Sequence, residues 1–128
     1  MSVETDRELL ELAAKAAGIS IDKSEANGGG VGNNGFSITG DAMLDWHNNI
    51  RWNPLIYDGD ALRLAAVLRL HILHNDPGEP VLCVSAVLNK RGLYGVAEFH
   101  DEAQRTEATR RAIVRAAAEI GRTMATTA

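Results

Sequence analysis

Three arginines, Arg111, Arg115 and Arg122, fall four and seven residues apart in the stretch EATRRAIVRAAAEIGR, residues 107–122. At ~100° per residue on an α-helix they lie within about 40° of one another. Guanidinium groups stacked along one helix face can hold phosphate through paired hydrogen bonds. The plainer reading is a solvated face. Glu107 precedes Arg111 by four residues and Glu119 follows Arg115 by four, and such pairs are worth only ~0.3–0.5 kcal/mol each. Two features favour a grip on an anion. Ala118 falls between Arg115 and Arg122 on the same face and leaves room there. Asn89, Lys90 and Arg91 can add donors, and Tyr94, Phe99, Trp46 or Trp52 can offer a ring on which a base stacks.

Other chemistries are weaker. His71 and His74 lie three apart in a strand-like run, so they point to opposite faces and cannot chelate one metal ion together. His47 and His100 are distant, and Cys83 stands alone, so neither a metal site nor a cofactor is expected. Ser37 and Ser85 have no nucleophile motif around them. Asp45 and His47 can pair in principle, but a packed loop explains them as well, and helix-start chemistry explains Asp58 and Asp60. With no convincing nucleophile–base pair, the sequence reads as a binding protein rather than an enzyme. A GxGxxG spacing occurs at Gly30, Gly32 and Gly35, yet no strand precedes it and no helix follows directly, so it is not a dinucleotide cradle.

Charge narrows the ligand. The net charge is −4, which argues against a long nucleic acid as partner. Residues 1–60 carry four basic and ten acidic side chains, residues 61–128 nine and seven. A basic second half suits a small anion better than a long polyanion. No apolar run reaches the ~20 residues of a membrane span, and the acidic start, MSVETDRELLEL, does not read as a signal peptide. One cysteine leaves no internal disulfide and fits a reducing compartment.

The elements that must position these residues can be read in order. A length of 128 residues suits one domain. Thr5 and Glu8 open a helix that Gly18 closes. Residues 22–35, with five glycines between Gly28 and Gly35, read as a mobile loop. FSIT suggests a short strand, and residues 41–60 look irregular. A second helix starts near Asp58 and is apolar on most sides, which predicts heavy burial. HILHN, VLCVSAVLN and LYGVAEFH follow as strands, the last two as an antiparallel hairpin. Gly95 marks a bulge or a close approach. A final helix covers about 102–122 with Asp101 as its N-cap. The expected fold class is α+β: a small antiparallel sheet of about three strands packed with helices, in the manner of an α-β-α sandwich.

The aromatic–Asn–Pro stretch Trp52, Asn53, Pro54, the helix start Asp60, Ala61, and the Ala-rich last helix from Thr109 to Ala118 together resemble the phage ABA sandwich domain. The resemblance covers roughly residues 42–122. Some proteins of that type are similar to the Thoeris anti-defence sponges, hexameric phage proteins that sequester cyclic ADP-ribose-type signals or cyclic oligonucleotides without cleaving them. The resemblance implies a homo-oligomer, a hexamer being the family's form, in the host cell cytoplasm. It also implies a small cyclic nucleotide as ligand. Arg111 and Arg115 match the family's phosphate-binding arginine pair, and Tyr94, Phe99 and Asn89 are candidates for its aromatic and amide. The alternative is a phage accessory protein that binds a host protein through its arginine-bearing face.

Overall fold

The computed structural model describes residues 5–19, 37–39, 42–45, 50–75, 78, 80–88 and 92–126. The glycine-rich stretch, Trp46, His47, Asn89, Lys90 and Arg91 lie outside them.

Helix α1, Asp6–Ala17, begins as the sequence suggests. The Thr5 side chain accepts the Glu8 N–H at 3.1 Å. Gly18, at φ 77°, closes it by donating to the carbonyls of Ala14 and Lys15. That left-handed turn is one a β-carbon would strain. Strands β1 (Ser37–Thr39), β2 (Ala42–Asp45) and β3 (Ile50–Trp52) form an antiparallel sheet in that order. Ser37–Thr39 of FSIT thus form a strand, but the described residues between 42 and 60 are less irregular than expected. Asp45 pairs with Ile50 and Met43 with Trp52. Strands of three and four residues are too short to display a period-2 pattern.

After β3 the chain is pinned from inside. Asn53 is 1 % exposed. Its side-chain oxygen accepts the Leu55 N–H at 3.0 Å, and its own N–H is accepted by the Asp60 carboxylate at 2.9 Å. Helix α2, Asp58–Leu68, therefore starts on a buried acid, Asp60, which Arg63 meets at 2.7 Å. Asp58 is the first helical residue, and Tyr57 precedes it without a side-chain cap. Arg69, at φ 59°, ends the helix. The expectation of heavy burial holds only for one side: Ala61, Leu64 and Ala65 are buried, whereas Leu62 and Val67 are exposed.

The principal sheet contains β4 (His71–His74), β5 (Leu82–Leu88) and β6 (Leu93–Phe99), antiparallel in the order β4-β5-β6. Its register places Val84 opposite Ala97 and Ala86 opposite Gly95, so these share the core face. Asp101 caps a 3₁₀ turn, Glu102–Gln104, through a capping box with Gln104, and helix α3, Arg105–Thr126, follows directly. The α+β class is thus observed.

Helix α3 is the centre of the packing, in contact with β5, β6, α1 and α2. Its composition explains how. Ala108, Ala112, Ala116, Ala117 and Ala118 are all buried, with Ile113, Val114 and Ile120 between them. Small side chains let neighbours approach on several sides at once. Two close approaches fall on glycines. A β-carbon on Gly95 would meet the backbone of Ala112 and Ala116, and one on Gly121 would meet the Leu12 carbonyl of α1. Gly95 therefore marks a close approach, one of the two alternatives its position suggests. Among the described residues, no helix is long and apolar enough to cross a membrane.

Candidate anion-binding cleft

Where α1, β6 and α3 converge, a cleft of about 420 Å³ opens, lined by Asp6, Leu9, Tyr94, Gly95, Val96, Arg111, Arg115, Glu119 and Arg122. All three arginines of the sequence stripe reach it, and so does Tyr94. Each is placed for a stated reason. Among the described residues, strand β6 is an edge strand, paired with β5. Helix α3 crosses it at Gly95, so Arg115 lies over the strand and its Nη1 donates to the Val96 carbonyl oxygen at 2.7 Å. That contact covers a strand edge that would otherwise invite pairing and fixes the Arg115 head. Tyr94, two residues before Val96 on the same strand, is 60 % exposed and presents its ring to the outside.

Arg111, one turn before Arg115, turns to α1. Its Nη1 and Nη2 donate to the two oxygens of Asp6 at 3.0 and 3.4 Å. The local pairs that the sequence suggests are replaced by others. Arg111 meets Asp6 rather than Glu107, and Glu119 meets Arg122, at 3.4 Å, rather than Arg115. Tertiary packing brings a better-placed carboxylate to Arg111 than its own helix does. Partial burial against the strand pulls the Arg115 guanidinium below the usual arginine value; the positive charge of Arg111 acts the same way, and Asp6 opposes both. An arginine stays protonated at neutral pH regardless. Among the described residues, the cleft lining therefore holds three guanidinium groups against two carboxylates, a net single positive charge.

The other candidates are placed elsewhere. Phe99 is buried on the core face of β6, with the Arg105 guanidinium 4.8 Å from its ring centre. Trp52 is buried beside the Asn53 turn. Neither is a stacking platform as the chain stands, because each ring already fills the core. Ala118 is fully buried, so it opens no space between the arginines; the space lies where α1 and β6 flank α3. Asn89 lies outside the described residues. Asp6 is what sequence reasoning missed. It lies 105 positions from Arg111, and no local spacing signals that contact.

A second concavity, about 340 Å³, lies between α2, β4 and α3 over Ala61, Leu62, Ala65, Ile72 and Ile113. Its arginines are committed to structure. Arg110 donates to the Leu55 carbonyl at 2.8 Å and meets Asp58 at 2.6 Å. Arg105 binds Glu102, His74 Nδ1 and the Asn75 side-chain oxygen. Because arginine only donates, His74 Nδ1 is the acceptor there. Among the described residues, no group of three or more His, Cys, Asp or Glu can hold a metal ion. Comparison with family models, with curated proteins and with solved structures found no match.

Proposed function

We propose that the cleft binds a small phosphate-bearing cyclic nucleotide, of cyclic ADP-ribose or cyclic oligonucleotide type, and sequesters it without cleaving it. In this reading the chain is a phage-encoded domain of the ABA sandwich kind that withdraws an immune signal in the host cytoplasm. The observation that carries it is that Arg111, Arg115 and an exposed aromatic residue, Tyr94, line one cleft. Its volume falls within the ~300–1,000 Å³ usual for small-ligand sites. Sequestration asks for cationic donors and a stacking surface, and the lining supplies both.

Magnitudes add a requirement. Two charge-assisted arginine–phosphate contacts contribute roughly 1.5–3 kcal/mol each, and a stacked base ~1–3 kcal/mol. Micromolar binding needs about 8 kcal/mol. The two contacts and the stack sum to roughly 4–9 kcal/mol before ordering costs and the loss of the Arg111–Asp6 contact, so one protomer falls short over most of that range. A homo-oligomer whose second subunit closes the cleft would supply the remainder. The alternative occupant is a host protein. Exposed Leu73 and Val81 near the same sheet favour it to a lesser degree, since they lie away from the arginines.

The test is thermal shift against cyclic ADP-ribose isomers and cyclic di- and trinucleotides, beside an Arg111→Ala/Arg115→Ala variant. At a hundredfold excess over its Kd a ligand stabilises by ~2.7 kcal/mol, and that shift should vanish in the variant. Ligand recovered intact after denaturation marks a sponge; recovered products would mark a hydrolase. No shift with any nucleotide would leave the host-protein reading.

A further inference from the structure

The anion now held by Arg111 belongs to the chain itself. Asp6 stands in the first turn of α1, and its two carboxylate oxygens face the two terminal nitrogens of Arg111. This is the geometry in which arginine receives an oxyanion from a ligand. Both partners remain accessible, with the Asp6 side chain 49 % and the Arg111 side chain 30 % exposed. An exposed contact of this kind is weak enough for a competing anion to break. Asp6 also lines the cleft, so a ligand reaching Arg111 must meet it.

We infer that Asp6 is a tethered competitor: it occupies the Arg111 end of the cleft in the free protein, and the ligand's anion binds by displacing it. This deepens the proposed nucleotide reading and rests on it for the ligand class. Charge balance then favours one kind of nucleotide. With Asp6 in place the cleft carries a net single positive charge, and with Asp6 displaced it carries two. A phosphodiester, with one negative charge, only replaces the charge that leaves. A pyrophosphate linkage, with two, gains on the exchange. On this count the cleft favours a ligand that brings two negative charges, as a pyrophosphate does, over one with a single phosphodiester. Arg115 is positioned for the second charge, because its hydrogen bond to the Val96 carbonyl engages one terminal nitrogen and leaves further N–H groups toward the cleft.

The experiment is calorimetric titration of the wild type, Asp6→Asn, Asp6→Ser and Arg111→Ala/Arg115→Ala with three probes: inorganic pyrophosphate, ADP-ribose and 3′,5′-cyclic AMP. Thr5 rather than Asp6 supplies the helix cap, so both Asp6 variants should fold, and thermal melts of the two will confirm it. In the wild type ADP-ribose should bind tighter than cyclic AMP. Removing the competitor should tighten every probe that binds by about three- to fivefold, the strength of an exposed ion pair. The factor should be common to the probes, because the same contact is broken whichever anion arrives. Unchanged or weaker binding in both Asp6 variants would overturn the inference and show Asp6 to be a positioning group or a bystander. It would leave the nucleotide reading standing if the double arginine variant still loses ADP-ribose. Pyrophosphate binding that tightens in the Asp6 variants without any nucleotide binding would keep the competitor and overturn the nucleotide reading. No probe binding to any of the proteins would overturn both.

Discussion

Gly95→Ala is the most informative single substitution for the architecture behind the cleft. A β-carbon there would meet the amide nitrogen of Ala116, the carbonyl oxygen of Ala112 at 2.5 Å and Arg115 Cβ at 2.7 Å. Ordinary carbon contacts begin near ~3.5 Å, so α3 must lift from β6 by about 1 Å. The obstructing atoms are helix backbone and cannot swing aside. Overpacking of this kind costs typically 1–3 kcal/mol, and a backbone obstruction places it at ~2–3 kcal/mol. At roughly 4 °C per kcal/mol for a chain of this size, the melting temperature should fall by roughly 8–12 °C. Gly59→Ala is the matched control. It sits in α2, and its β-carbon would meet only the Arg63 guanidinium, at 3.4 Å. There the same change should be neutral or stabilise by up to ~1 kcal/mol, through helix propensity. Thermal melts followed by circular dichroism give both numbers. A Gly95→Ala melt within about 2 °C of the wild type would refute the close crossing of α3 on β6, and with it the reason Arg115 reaches the Val96 carbonyl.

Two further outcomes follow from the same geometry. Asp60→Ala should destabilise by about 2–3 kcal/mol, because it leaves the buried Asn53 N–H without its acceptor; urea unfolding measures this. The hydrogen bond from Arg105, opposed by desolvation and helped by the Arg105 charge, holds the Glu102 carboxyl below the usual glutamate value. A carboxyl lowered on folding contributes stability that is complete above its unfolded value, ~4.3, and is lost as pH falls through the folded value. A carbon-detected NMR titration should therefore place Glu102 below ordinary glutamates, and Arg105→Gln should return it to their range.

Much of this molecule is written in local pattern. The Thr5 cap, the Gly18 stop, the hairpin of β5 and β6 and the Asp101 cap each depend on residues within a few positions of one another. The short strands β2 and β3 escaped because three or four residues carry no usable period. The apolar outer side of α2 misled for a different reason: hydrophobic composition reports what a helix can bury, not whether a neighbour arrives to cover Leu62 and Val67. At the cleft, helical spacing put Arg111, Arg115 and Arg122 on one face, and the structure keeps them there. Their partners were not legible. Asp6 and the Val96 carbonyl come from other elements, and the close seats of α3 on β6 at Gly95 and on α1 at Gly121 bring them within reach. The Trp52–Asn53–Pro54 motif, which carries part of the family resemblance, builds a buried turn onto Asp60. It supports the cleft's scaffold rather than its chemistry.

The most direct measurement is the arginine side-chain NMR spectrum during titration with a cyclic ADP-ribose isomer. The Nε–Hε signals of Arg111 and Arg115 should shift and saturate together, while those of Arg105 and Arg110, held by Glu102 and by the Leu55 carbonyl, stay in place. Saturable shifts confined to the Arg105 and Arg110 signals, or no shift in any arginine up to millimolar ligand, would contradict the assignment of this cleft as a phosphate grip.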